Sequence, residues 1–336
     1  MLAGYSIERR RTDGVGRDEN YITITFWFFF QGVLPVRLFR QYWFREEGSL
    51  SVSHVEFGDK TKVNRVTLTA MVCFHILAVA AIFYTTWQAV IVAVVLHWVC
   101  ICWGIGMGYH RLHTHRSYET PKVVEYFLAV CATMTLQGGP IFWTACHRIH
   151  HQHSDRDGDP HTPRDGRWWS HMLWTMFGDP MNADTVVMGK YAPDLMKDRF
   201  YRVLSKWHWV PLVFLGLSLL VLGGLPWLLW GVFFRVVFGL HCTWLVNSAT
   251  HLWGTRRFDT SDDSKNSWWV ALLTFGEGWH IIHHAHPTSA RHGLGRFELD
   301  LTWLQIRLLE KVGLAWDVRV PTATQIARKA PADLAV

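Results

Sequence analysis

Residues 88–115 read QAVIVAVVLHWVCICWGIGMGYHRLHTH, an apolar run that ends on three histidines, His110, His113 and His115. A helix rising about 1.5 Å per residue crosses a hydrocarbon core in about 20 residues. The stretch therefore predicts a membrane span whose end presents imidazole to one water-facing side. Working outward, the candidate spans fall at roughly 66–84, 88–108, 207–223 and 225–247. Very short connections without Lys or Arg, around Thr86 and at Gly223-Gly224, join them in two pairs, and helices joined so tightly form hairpins.

Composition agrees with this reading. At 336 residues, 50% hydrophobic and 18% charged, with 20 Trp and 20 Phe, the chain is too apolar for a soluble enzyme of two domains. Its mean hydropathy of +0.08 is too low for spans alone, so a few spans must carry a large polar portion. Ten Lys and Arg precede residue 66, twelve lie between the hairpins and ten follow from His251 onward, leaving Arg235 as the one inside a span. The positive-inside rule then puts the N-terminus, the central segment and the C-terminus in the cytoplasm. The expected layout is a cytoplasmic or interfacial segment 1–65, a main domain 66–320 and a flexible tail 321–336. ITITFWFFFQGVLPV, near residue 24, is read as lying in the interface, and the stretch 109–206 as helices against the headgroups. No apolar signal-peptide core precedes the spans, and the six Cys read as reduced, packed thiols.

The 20 histidines cluster. HRLHTH begins at His110; HRIHHQH holds His147, His150, His151 and His153; His251 closes the fourth span; WHIIHH holds His280, His283 and His284. Positions i, i+3 and i+4 share one helix face, so His147/His150/His151 and His280/His283/His284 each form a ligand-competent triplet. With His110, His115 and His251 at the span ends, eight or nine nitrogens meet, more than one first-row metal accepts. Two metal ions are implied. Imidazole suits Zn, Cu, Fe and Ni alike, but closed zinc sites take four ligands, and a pair of irons doing oxygen chemistry beside a lipid-facing pocket fits better.

The boxes HRLHTH, HRIHHQHSD and GEGWHIIHH, with DPH at 159–161 and WLVNSATHLWG at 244–254, resemble those of the membrane fatty acyl desaturases that act at carbon nine. The likeness runs from about residue 66 to residue 317. It implies an all-α membrane protein, four transmembrane helices in two hairpins under a cytoplasmic helical cap, with a histidine-ligated di-iron centre and oxygen as co-substrate for inserting a cis double bond. Carried over, the ligands are His110, His115, His147, His150, His151, His251, His280, His283 and His284, and Asn247 reaches one iron through water. His110 and His115 lie about 140° apart on a regular helix, so His113 is the better helical neighbour of His110; following the family pattern, His113 instead supports the ligands. His153, His161 and His171 are extra histidines nearby. Asp155, Asp159 and Glu277 are candidates for orienting ligand imidazoles through their free N–H.

Ala145-Cys146 stands where the coenzyme A branch of the family carries an Arg-Asp pair, which favours an acyl chain on a membrane lipid over an acyl thioester. No HPGG haem motif is present, so electrons come from a separate donor such as a ferredoxin or a b-type cytochrome, and the net charge of +6 suits an acidic one. No nucleic-acid partner is expected, and the location is integral to a membrane, the bacterial inner membrane, with the active site cytoplasmic. A hydroxylase or acetylenase shares the same boxes. A histidine-rich metal transporter is disfavoured because His75, His97 and His241 stand apart within the spans. Arg235 is expected to bind a backbone carbonyl of a neighbouring span. For the substrate tunnel, stepping back from His110 by helical turns gives Cys102, Trp98 and Val94, with Trp98, about 18 Å away, as the floor.

Overall fold

The computed structural model describes residues 3–10, 21–28, 38–43, 60–178 and 188–330. Two units divide the chain, Met1–Val55 and Glu56–Val336. In the first, β1 (Ala3–Arg10), β2 (Tyr21–Phe28) and β3 (Leu38–Trp43) form an antiparallel sheet in the order β1-β2-β3. Ala3 pairs with Phe28 and Tyr21 with Trp43. This corrects the all-α expectation for the N-terminal segment. YITIT alternates Ile with Thr at period two, and all four are β-branched, which suits a pleated strand. Residues 29–36 of the run ITITFWFFFQGVLPV lie outside the described residues.

The second unit, as described, is helical and contains no strand. Asn64 caps α1 (Arg65–Ile82) by accepting from Thr67 N, and Thr86 caps α2 (Trp87–Thr114) by accepting from Ala89 N. The central part holds α3 (Lys122–Thr133), α4 (Pro140–His153, with Pro at its first turn), α5 (Pro193–Lys197) and α6 (Arg199–Lys206). Then come α7 (Val210–Leu252), α8 (Trp268–Leu273), α9 (His280–Ala285), α10 (Leu301–Lys311) and α11 (Ala323–Lys329). The last corrects the frayed tail: Thr322 and Gln325 form a reciprocal capping box that starts a helix.

Among the described residues three helices are long and apolar enough to cross a membrane: α1, α2 and α7. Outward-facing apolar side chains such as Val66 (82% exposed), Phe214 (74%) and Val221 (84%) are what lipid contact demands. With 43 residues α7 would be about 64 Å long if straight, twice a bilayer core. Its backbone breaks at Gly224 (φ 67°, ψ −161°), two residues before Pro226, and arm 225–252 returns along arm 210–223, with Gly216 facing Leu228 and Val232. The returning arm packs against both α1 and α2: Trp230 Nε1 donates to Ala81 O (2.8 Å), Phe74 meets Phe233 (5.0 Å), and Gly231 faces Val92 and Leu96.

From Trp98 to Thr114, α2 is a π-helix. His115 N donates to His110 O, five residues back, so residues five apart share a face. The wide turn packs closely on α3, where a Cβ at Gly104 would come within 2.5 Å of Ala132 N. Arg235 is buried, and its Nε and Nη1 donate to Gly231 O (2.9 Å) and Met134 O (2.8 Å), a structural role that joins the returning arm to the end of α3.

Candidate metal centre

All nine histidines carried over from the sequence gather at one place. Nitrogens of His110, His115, His147, His151 and His283 lie within 4.8 Å of one another, and so do those of His150, His251, His280 and His284. Each triplet helix serves both groups. On α4 the i, i+4 pair His147/His151 joins the first group and His150 the second; on α9 the pair His280/His284 joins the second and His283 the first. The π-helix brings His110 and His115 together, ring centroids 5.0 Å apart, which regular helix geometry would not. His113 points elsewhere, with Nε2 at 3.0 Å from the Tyr201 hydroxyl.

Carboxylates set the orientation of four imidazoles. The Nδ1–H of His150 donates to Asp159 (3.0 Å), that of His251 to Asp155 (2.9 Å), that of His284 to Asp262 (3.1 Å) and that of His110 to Glu277. With Nδ1 so engaged, Nε2 carries the lone pair and faces the group. Buried Arg111 holds Glu277 (2.8 Å) and grips Asp300 with both Nη atoms (3.0 and 2.9 Å), a bidentate fork in a site without water access. Asp262 and His292 were missed by sequence reasoning. Asp262 lies 22 residues from His284 and outside every box; His292 is buried with Nδ1 at 3.5 Å from Glu277. The clustering of Asp262 with Asp263 beside Ser264 was the one signal for the first, and nothing marked the second.

These residues fit metal ions. Burial first, then the neighbouring imidazoles, hold His147, His151, His280 and His283 well below the ordinary histidine range, so they are neutral, the form that ligates. His284 is pulled down to about 4 by burial despite Asp262. Burial opposes the charged form of Asp159 and Glu277 as well. His150 and His161 overcome it for Asp159, and Arg111 and His110 for Glu277, leaving both carboxyls well below the usual carboxylate range. Facing Nε2 atoms stand 3.0 Å apart in His110 and His283, 2.8 Å in His283 and His151, and 3.0 Å in His251 and His280. Nε2 of His115 and of His284 is buried with no hydrogen-bond partner. Buried nitrogens left like this ask for a cation.

Two apolar cavities adjoin the histidines. One, about 420 Å³, is lined by Ile101, Ile105, His110, His280, Val246 and Asn247 among others; the second, about 650 Å³, reaches from His147 to Met71 and Leu240. Trp143 stands in the wall of both, its Nε1 donating to Gln137 (3.2 Å), which donates to Thr243 (3.0 Å). The expected tunnel residues are not on these walls. Cys102 is buried toward Thr302 (3.6 Å), Trp98 packs on Trp103 (4.8 Å) and Val94 is 63% exposed. Counting in steps of four from His110 assumed an α-helix, whereas in the π-helix Ile105, five residues back, shares the His110 face.

A family model described as fatty acid desaturase matches residues 85–305. The chain belongs to the fatty acid desaturase family. It is a membrane oxidoreductase that desaturates fatty acyl chains with oxygen. The desaturase is 48% identical over 268 residues to an sn-1 stearoyl-lipid 9-desaturase of Anabaena variabilis, covering 79% of this chain and 97% of that one. It is 44% identical to an sn-2 palmitoyl-lipid 9-desaturase of Nostoc sp. (strain 36), covering 77% and 92%. An acyl-CoA 5-desaturase of Anemone leveillei matches at 43%, covering 74% and 77%.

Of the remaining histidines, His161 lies beside His150 (ring centroids 4.4 Å). His75 and His241, expected to stand apart within the spans, form a chain with His171: His75 Nε2 is 3.1 Å from His241 Nε2, and His241 Nδ1 is 3.0 Å from His171 Nε2. His97 meets no other histidine of the spans, donating to Leu273 O (3.1 Å).

Proposed function

We propose that this desaturase inserts a cis double bond at carbon nine of an acyl chain carried by a membrane lipid, with two iron ions held by the nine histidines and electrons supplied by a separate carrier. One observation carries the reading: two groups of buried or half-buried imidazoles open onto apolar cavities whose described lining contains no Lys or Arg. A phosphate-bearing thioester carrier would want cations there, while a lipid-borne chain asks only for apolar walls. The acyl-lipid relatives at 44–48% identity support the same choice. Bound iron supplies the oxygen activation that an unactivated alkyl C–H bond requires.

The chain's own residues do the rest. Asp155, Asp159, Asp262 and Glu277 fix the tautomers of their histidines; Asn247, on the wall of both cavities, is placed to hold a water toward one iron; Trp143 and Ile105 shape the path of the acyl chain and exclude bulk water. The Gly224 turn and the distribution of Lys and Arg support four crossings with both termini and the centre cytoplasmic.

Expression in a host lacking unsaturated fatty acids, with mass spectrometry of acyl chains sorted by carrier, tests the reading. The expected product is a cis carbon-nine mono-unsaturated chain appearing first in membrane lipid, and His283→Ala, which strips the first group of one ligand, should lose iron and product together. Full activity of an iron-free His283→Ala protein would sink the assignment, and unsaturated label arising first in the thioester pool would sink the lipid carrier.

A further inference from the structure

Each double bond removes two hydrogens from the acyl chain while one oxygen molecule becomes two waters, so two electrons and two protons must arrive from outside. Where the electrons enter is not part of the cavities described above. A groove of about 1240 Å³ lies behind the third histidine box, between residues 285–289, residues 317–322 and α11. Its floor includes Ala285 and His286, the last residue of α9 and its cap, one helical turn from His283 and His284.

The walls are tied to the centre. Arg319 N donates to Ser117 O and Ala290 N to Arg319 O, both at 2.8 Å, which joins residues 317–322 to the loop after the first box. Ile326 of α11 packs on the cluster of Phe258, Trp279, Ile281 and Ile282 that backs α9, and Asp259 N donates to Lys329 O (2.9 Å). Charge in the groove is one-sided. Its described lining carries Arg319, Arg328 and Lys329 against a single carboxylate, Asp317, which Arg319 already engages at 2.7 Å. Arg328 and Lys329 are exposed and make no ion pair among the described residues.

We propose that this groove is the docking face for an acidic one-electron carrier protein; the proposal rests on the desaturase reading above. Complementary charge speeds encounter and fixes orientation, and a carrier seated here delivers its electron within one helical turn of ligands of both groups. An anionic headgroup site would need the charge but not this nearness to His283 and His284.

The test uses the full chain in lipid nanodiscs with reduced plant-type ferredoxin as the acidic carrier. The double variant Arg328→Glu/Lys329→Glu should raise the KM for ferredoxin by about tenfold and flatten its dependence on salt. Metal content and turnover with reduced methyl viologen, a small cation that needs no docking face, should stay at the unmodified level. Lys311→Glu, an exposed charge reversal outside the groove, should leave the ferredoxin KM unchanged. An unmodified KM and salt dependence in the double variant would overturn the proposal, as would a defect that is the same with viologen or one that follows the anionic lipid content of the nanodisc. If the unmodified chain forms no double bond with either reductant, the desaturase reading itself fails, which is a separate result.

Discussion

The carboxylate behind a ligand histidine decides which nitrogen is free to bind. Asp262 shows this most simply, because its Oδ2 accepts from His284 Nδ1 while its Oδ1 accepts from Ser264 N (2.9 Å). In Asp262→Asn the oxygen can keep the turn, but an amide nitrogen replaces the acceptor, so His284 loses the partner that fixes its tautomer. Metal in the second group should be held about 10- to 100-fold more weakly, and dialysis against a chelator should strip metal from the variant under conditions that leave the unmodified chain loaded, while the helical circular dichroism stays the same. Asp155, Asp159 and Glu277 were legible in the sequence because they sit inside or beside the boxes. Asp262 and His292 were not, since only the fold brings them to ligands in other segments.

At the scale of the element, α2 walls the cavity proposed for the acyl chain. Its π-helical stretch turns less per residue than an α-helix, so the face that carries His110 continues through Ile105 and on to Ile101, both on the cavity wall. Trp98 and Cys102 belong to other faces. Ile101→Phe should therefore fill the cavity and shift a competition assay of mixed saturated chains toward shorter ones, at unchanged metal content. Trp98→Ala should leave that profile as it was, because the ring it removes rests on Trp103 outside both cavities. A longer-chain preference in Trp98→Ala would restore the α-helical reading of the tunnel. The apolar length of α2 was legible; its hydrogen-bond pattern was not, because propensity distinguishes helix from strand far better than one helical pitch from another.

For the whole molecule, the turn at Gly224 matters as much as any ligand. It folds α7 back on itself, and the returning arm carries Asn247 and His251 to the histidines of α4 and α9. The backbone there occupies a region open essentially to glycine alone, so Gly224→Val should cost about 1–3 kcal/mol, read as a lower thermal midpoint in detergent together with weaker retention of metal in the group that contains His251. The sequence by itself determined the apolar hairpins and the nine clustered histidines, because hydrophobic length and the i, i+3, i+4 spacing are local properties that survive without a fold. Only the tertiary structure decided which histidine serves which group, which faces of α2 meet the cavity, that β1, β2 and β3 pair into a sheet and that Ala323–Lys329 is a docked helix. Those outcomes depend on which surfaces meet across the chain, and neighbours hundreds of residues apart leave no periodic trace in either partner.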